Sequence, residues 1–557
     1  MTRPRELLEQ GRKEELWEMC CGFLNLRLEQ FMGIQKRLLL EQIGLLENCE
    51  MGRRLLGDAR PLTVEEFREQ VPLTTYDDYL PELTDKREDV LPARPAIWVH
   101  TVGRIGEYNF KWVPLPDRFL HELERIAGGI GLLASCNAQG GFLAKAHLKT
   151  LSVVNSPSYG SGIVAHLMQK ALACDFLPSD LDSGDMPFDQ KLQAAFQEAL
   201  CRGLDALGGL PSVLTYMGEA IKQGEVRVGT RFLLSHPKAS LRLARGLIRS
   251  KLARRPLHPK DLWSLSVVVG GGVDSALFCK SVTELWGRQP LEVYGGTEGG
   301  LYAAQTWDHQ GLTFIPNLNF LEFIPERECL KWRLDHSYQP KTVLLDEVKA
   351  GAIYELVITN FHGGVMTRYR VGDLVRITSL WNKRLGILIP QMVFHSRADD
   401  FVDVAGLGKL TERIIRQAVE DTSLPYVDWV ARKEAADSKP LLHLYLELKN
   451  GHIVSEEKLA MLVRERFRQL DRRHRCNLYN LIGNMETMLD LKPVMVTLLP
   501  QGAFASYMAQ RRAEGADPDH VHPTRVNPSD EVISLLKAPK VLVETIPATE
   551  AERATAR

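Results

Sequence analysis

The run Leu291–Tyr294 passes directly into Gly295-Gly296-Thr297-Glu298-Gly299. A short, largely apolar run followed by paired glycines reads as a buried strand ending in a turn whose backbone can come close to a ligand. Tyr294 offers an aromatic face for a base and Thr297 a hydroxyl for a phosphate oxygen. Glu298 is a hard oxygen ligand suited to Mg²⁺. Alone, the stretch reads equally well as a strand and its turn. The pattern repeats outward along the chain: Ala96–Val99 runs to Gly103 and Gly106, Leu265–Val269 to Gly270-Gly271-Gly272, and Ile353–Ile358 to Asn360 and then Gly363-Gly364. Helical stretches between these runs predict an α/β fold with buried strands. In such sheets ligands gather at the loops beyond the carboxyl ends of the strands.

Two further segments carry residues suited to chemistry. In Tyr369-Arg370-Val371-Gly372-Asp373, ionised Asp373 accepts hydrogen bonds only and suits the vicinal hydroxyls of a ribose, although a surface turn between strands uses the same letters. Arg397-Ala398-Asp399-Asp400, with Gly406 and Glu412 downstream, stands where the composition changes and reads by itself as a charged linker. Beyond it Leu441–Leu448 alternates as a strand, Ser455–Leu470 repeats as a helix rich in Arg and Glu, and Pro493–Leu499 reads as another strand. A large α/β domain over residues 1–396, with buried sheets flanked by helices, is therefore expected to precede a smaller α+β domain over 397–557. Near the start, Leu28, Phe31, Leu38, Ile43 and Leu46 recur at helical intervals. Thr63-Val64-Glu65-Glu66 predicts a capped helix in which Glu66 reaches back and Leu62 packs onto Phe67.

Charge and composition narrow the classes. Lys and Arg number 69 against 70 Asp and Glu, a net charge of −1, which leaves no global cation excess for nucleic acid. With 45% apolar and 25% charged residues the composition is that of a soluble globular protein. Met1-Thr2-Arg3-Pro4 leads into a charged amphipathic stretch without an apolar leader core, and no uncharged run approaches the ~18 residues of a membrane span. The expected setting is cytoplasmic, with no membrane partner. The nine cysteines are scattered and form no CxxC pair, which reads as small buried hydrophobes in a reducing compartment.

In this order and spacing the three segments resemble the acyl-adenylate-forming superfamily of firefly luciferase and the acyl-CoA synthetases. The likeness is closest to the plant-type auxin-responsive acyl-acid amido synthetases and their bacterial relatives. The family's YGxxE, YRVGD and hinge Arg-Asp-Asp motifs are met at Tyr294–Glu298, Tyr369–Asp373 and Arg397–Asp400. Val71–Tyr76, Gly270–Gly272, Gly502-Ala503-Phe504 and Gly515-Ala516-Asp517 add to the likeness. The resemblance implies a large adenylate-forming domain and a small mobile one that turns about a hinge near Asp399. It implies a two-step ligase, in which a carboxylate attacks the α-phosphorus of ATP to give an acyl adenylate and pyrophosphate. An amine, such as an amino acid, or a thiol then takes the acyl group. Catalysis of this kind is mostly positioning and charge neutralisation around phosphates. In that picture ATP, and AMP after the first step, rests on Gly103, Gly106, Tyr294, Gly295, Gly296, Thr297, Asp373 and Arg397. Glu298 holds Mg²⁺, Asp373 the ribose, and Arg397 the ribose or phosphate, while Lys111, Arg104, His522 and Arg525 supply catalytic charge. The implied partners are a small-molecule carboxylic acid and its acceptor, and a monomer is favoured.

The chain departs from the family pattern twice. Its phosphate-loop segment Thr101–Pro114 keeps Gly103, Gly106, Lys111 and Pro114, but Val102, Arg104 and Ile105 take the hydroxyl positions, and Glu107 adds negative charge where pyrophosphate would lie. Arg104 either forks onto phosphate oxygens in their place, or points to solvent or pairs with Glu107. Near the C-terminus, His520-Val521-His522-Pro523-Thr524-Arg525 puts His522, mostly neutral at pH ~7, where the family has a catalytic lysine. Losing one such donor costs about 3 kcal/mol of barrier. Two function classes stay open: an ATP- and Mg²⁺-dependent ligase of reduced activity, and a pseudoenzyme that binds a nucleotide or acyl ligand without making adenylates. Gly160-Ser161-Gly162-Ile163-Val164-Ala165 fits the dinucleotide pattern GxGxxA, but Pro157 interrupts its approach, and the region is read as bordering the acyl pocket. His520 and His522 with Asp517 and Asp519 read as a solvated loop rather than a metal site.

Overall fold

The computed structural model describes residues 3–101, 111–137, 141–143, 147–152, 159–178, 188–272, 275–335, 337–397, 401–403, 409–436, 439–449, 454–472, 494–513, 523 and 525–538. Its strands are β1 (Pro95–His100), β2 (Trp112–Pro116), β3 (Lys149–Ser152), β4 (Asp175–Leu177), β5 (Ala206–Gly209), β6 (Val267–Gly271), β7 (Leu291–Gly296), β8 (Gly300–Ala304) and β9 (Leu312–Phe314). They continue as β10 (Asn319–Pro325), β11 (Ile353–Asn360), β12 (Tyr369–Ser379), β13 (Gln391–Arg397), β14 (Phe401–Asp403), β15 (Lys409–Thr411), β16 (Tyr426–Ala436), β17 (Lys439–Leu448) and β18 (Val494–Leu498).

Eleven of these strands form one sheet in the order β10-β11-β12-β13-β9-β8-β7-β6-β5-β3-β4. The half from β4 to β7 is parallel, and every pairing from β7 through to β10 is antiparallel. β7 is thus the strand at which the sheet changes character. Helices cover both faces, as an α/β fold requires. The helix Asp117–Ser135 buries Phe119, Leu123, Ile126 and Ile130 in the core shared by both halves. It lies so close to its neighbours that a side chain on Gly129 would stand 2.4 Å from the Cys20 carbonyl oxygen. On the other side, the helices Pro211–Lys222 and Ser275–Trp286 close a second core with Leu214, Met217, Phe278 and Trp286.

Three expectations change. The Ala96–Val99 run does not join the large sheet: β1 pairs antiparallel with β2 as a separate two-stranded sheet, in which only Val99 of β1 is fully buried. Thr63 caps its helix by accepting from the Glu66 amide at 3.1 Å, but Glu66 reaches past Thr63 to the Leu62 amide at 2.7 Å. That capture turns Leu62 outward, 78% exposed, so it cannot staple onto Phe67. Thirdly, β17 does not alternate between core and solvent: it is buried from Pro440 to Leu448, because its three-stranded sheet with β16 and β18 is covered on both faces. Both of those cores draw only on residues from Val402 onward.

The eight described cysteines are free thiols, and six of them are buried. Burial pushes the Cys20 and Cys136 thiols up to about 12, which suits packing rather than reactivity. Among the described residues no helix is long and apolar enough to cross a membrane.

Candidate active site

The tight β7–β8 hairpin places the first residues. A side chain at Gly295 would lie 2.2 Å from the Gly300 carbonyl oxygen, so glycine is required there. Two buried asparagines hold the turn: Asn360 Nδ2 donates to the Glu298 carbonyl oxygen at 3.0 Å, and Asn319 Nδ2 to that of Gly299 at 2.8 Å. Fixed in this way, the Glu298 carboxylate accepts from the Tyr369 hydroxyl at 3.3 Å, which in turn accepts from Lys111 Nζ at 3.0 Å. Lys111 Nζ also lies 3.7 Å from Glu298 Oε1 and 5.4 Å from the Tyr76 ring centroid. The aromatic neighbours favour the ammonium electrostatically.

A second cluster stands on the β7 side of the same turn. Asp373 on β12 is paired in register with Arg397 on β13, and Arg397 Nη1 donates to its Oδ1. Tyr294, near the end of β7, donates its hydroxyl to Asp373 Oδ2 at 2.7 Å. Burial first, and the adjacent Asp373 charge second, hold the Tyr294 hydroxyl well above the usual phenol range. Tyr302 on β8 joins the two clusters: its ring is 5.3 Å from that of Tyr294, and its buried hydroxyl feels both Glu298 and Asp373.

The structure therefore brings Lys111, Tyr294, Gly295, Gly296, Thr297, Glu298, Asp373 and Arg397 to one hairpin and its neighbours. Tyr294 differs from expectation. Its side chain is an interior group between Tyr302 and Phe394 that holds Asp373, rather than an open stacking face. Arg525 is engaged elsewhere, 3.1 Å from Asp428 and 3.5 Å from Glu412. Gly103, Arg104, Gly106 and His522, like Asp399, lie outside the described residues. The ends of the 102–110 segment are nonetheless joined, since the Thr101 amide donates to the Lys111 carbonyl at 3.1 Å. The GxGxxA glycine Gly160 serves close packing: a side chain there would meet Thr297 Oγ1 at 2.5 Å.

Sequence reasoning passed over several residues. Tyr369 and Tyr76 were inside quoted motifs, yet neither was given a role. The signal for Glu292 was a lone acid within a buried run. It lines a cavity of about 210 Å³ with Gly270, Ser275, Cys279, Gln289 and Gln305, and burial pushes its carboxyl up to about 7. β12 is locked by two buried pairs, Arg368 with Glu322 at 2.8 Å and Arg370 with Glu355 at 2.7 Å.

Comparison with known proteins agrees with this geometry. Residues 312–397, which span β9 to β13 and so contain Tyr369, Asp373 and Arg397, match the GH3 family central domain. Over these residues the chain carries a GH3 family central domain. It is 34% identical over 152 residues to the jasmonoyl–L-amino acid synthetase JAR4 of Nicotiana attenuata, covering 26% of this chain and 24% of that one. It is 34% identical over 112 residues to the 4-substituted benzoates–glutamate ligase GH3.12 of Arabidopsis thaliana, covering 20% and 17%. The chain thus matches a quarter or less of the length of these two GH3 relatives. Among solved structures, 2-hydroxyisobutyryl-CoA ligase in complex with 2-HIB-AMP and CoA superposes with a TM-score of 0.52 at 16% identity, over 85% of this chain and 86% of that one. The chain therefore shares its fold with that CoA ligase.

Proposed function

We propose that the protein is an ATP-dependent acyl-adenylate-forming ligase that joins a small carboxylic acid to an amine, an amino acid being the acceptor class. The observation that carries this reading is the placing of a carboxylate–tyrosine–lysine cluster and a buried aspartate–arginine pair beside one hairpin turn. Asp373, an ionised acceptor of hydrogen bonds, takes the ribose hydroxyls. Arg397 balances the charge of Asp373 and faces the phosphate. Lys111 leaves Glu298 for the phosphates, where a mobile ammonium neutralises charge that grows as pyrophosphate departs.

Mg²⁺ commonly takes one or two carboxylates plus substrate phosphate and water. Glu298 fits that modest demand, and among the described residues no group of three acidic, His or Cys side chains forms a closed metal cage. When bound, the ion would screen the phosphates during the attack of the acid. Residues 1–396 are proposed as the nucleotide and acyl unit of a cytoplasmic protein, with 397–557 as the unit that moves.

A pyrophosphate-release screen over aryl and aliphatic acids tests the reading. Release with at least one acid is expected, cut by 10²–10³ in Glu298→Ala and in Asp373→Ala and abolished by a chelator, in line with the loss of a preorganised charge (about 3–4 kcal/mol). The loss of hydroxyls at Val102, Arg104 and Ile105 supports a second reading, a nucleotide sensor. AMP raising the melting temperature with no pyrophosphate from any acid would decide for it.

A further inference from the structure

The helix Pro237–Leu252 carries two apolar stripes of identical spacing. Ala239, Gly246 and Ser250 are buried and lie on one line, since seven and eleven residues are close to two and three turns. They face the body of the protein, where a side chain on Gly246 would meet Leu262 Cδ2 at 2.5 Å. Leu241, Ile248 and Leu252 repeat the spacing two positions later, about 200° round the helix and so on its opposite side. These three are 53%, 59% and 80% exposed. Just before them, Leu234 in the helix Thr230–Ser235 is 87% exposed.

The charge around this outward stripe has one sign. From Val226 to Lys260 there are ten Lys and Arg and no Asp or Glu, in a chain whose net charge is −1. By helical position Lys238, Arg245 and Arg249 stand on one flank of the stripe and Lys251 on the other. Four of the basic residues are held by the protein itself: Arg227 donates to the Gly224 carbonyl, Arg242 to that of Leu200 and Arg249 to that of Asp261, and Arg255 pairs with the Asp261 carboxylate at 2.8 Å. That leaves Lys238 and Arg245 on one flank and Lys251 on the other to meet an anionic surface.

We propose that this face docks the protein on an anionic lipid bilayer, lying in the interface rather than crossing it. A convex helix, apolar along its crest and cationic on both flanks, matches a planar interface. The crest enters the acyl boundary by roughly 5–10 Å while Lys and Arg reach headgroup phosphates. A nucleic acid would use the flanks and leave the crest in water, and a second copy would set like charges against each other. The composition excluded a membrane partner because it was searched for spans, and a surface helix needs none.

Co-sedimentation of the full chain with vesicles tests this. Binding is expected to phosphatidylcholine vesicles containing phosphatidylglycerol, not to phosphatidylcholine alone, and to weaken as salt is raised. Replacing the crest (Leu241→Gln, Ile248→Gln and Leu252→Gln together) is expected to lower partitioning about tenfold or more. Because these side chains are exposed, the melting temperature is expected to hold, which separates lost docking from lost folding. Neutralising the flanks (Lys238→Gln, Arg245→Gln, Lys251→Gln) is expected to remove the preference for anionic lipid. No binding to anionic vesicles overturns the proposal. So does binding that survives loss of the crest, which marks a plain polyanion surface, or a solution dimer that the crest variant dissolves.

Discussion

Tyr369 passes one hydrogen bond to the next: its hydroxyl accepts from Lys111 and donates to Glu298, bridging the ammonium and the carboxylate it neutralises. Tyr294 plays the matching part for Asp373. Tyr294→Phe removes one donor from a buried carboxylate, and about 2 kcal/mol of stability is expected to go with it in urea denaturation. Glu292 gives the pH dependence. Its carboxyl, ordinarily near 4.5, is raised to about 7 by burial, so the native state binds its proton more tightly than the unfolded chain does. The contribution is fully present below about pH 4.5 and is lost as pH rises to about 7. Glu292→Gln is therefore expected to leave stability at pH ~4 nearly unchanged and to raise it at pH ~8 by about 3 kcal/mol, read from urea titrations at the two pH values. An equal effect at both would remove the carboxyl as the cause. Glu292 escaped the sequence reading because its solvation depends on what the helix Ser275–Trp286 covers, and no spacing encodes that.

At the scale of elements, β12 carries both Tyr369 and Asp373, and its position depends on Arg368, whose guanidinium spans Glu322 and the carbonyls of Arg68 and Val71. Arg368→Ala leaves buried Glu322 with only the longer 3.8 Å contact to Arg68 as a charge partner and is expected to cost about 3 kcal/mol in urea denaturation. Leu62→Ser, by contrast, is expected to stay within about 0.5 kcal/mol, since that side chain already faces water. Elements with a strong local signal were legible: β7, β11 and β18 lie where apolar runs meet glycine or polar breaks, and Thr63 caps the helix it announces. What was not legible depended on distant partners. β1 has a strand's letters, but only pairing with β2 decides that it leaves the large sheet, and only a second cover makes β17 apolar on both faces.

For the whole molecule, the site lies at the carboxyl end of β7, where the parallel half of the sheet gives way to the antiparallel half. There the hairpin leaves the parallel stack, and β12 and β13 bring Asp373 and Arg397 across from the other half. This convergence was readable as a likeness of motifs but not as geometry, because Tyr294 and Glu298 lie in a segment distant in sequence from that of Asp373 and Arg397, and only sheet order joins them. Arg525, chosen for its place in a motif, is bound instead by Asp428 and Glu412. The most direct test of a single adenosine-phosphate cleft is calorimetric titration of ATP into the full chain and into Asp373→Asn, which keeps shape while removing charge. The affinity is expected to fall about tenfold or more, the loss of one charge-assisted hydrogen bond. ATP binding of unchanged strength in Asp373→Asn would contradict the account.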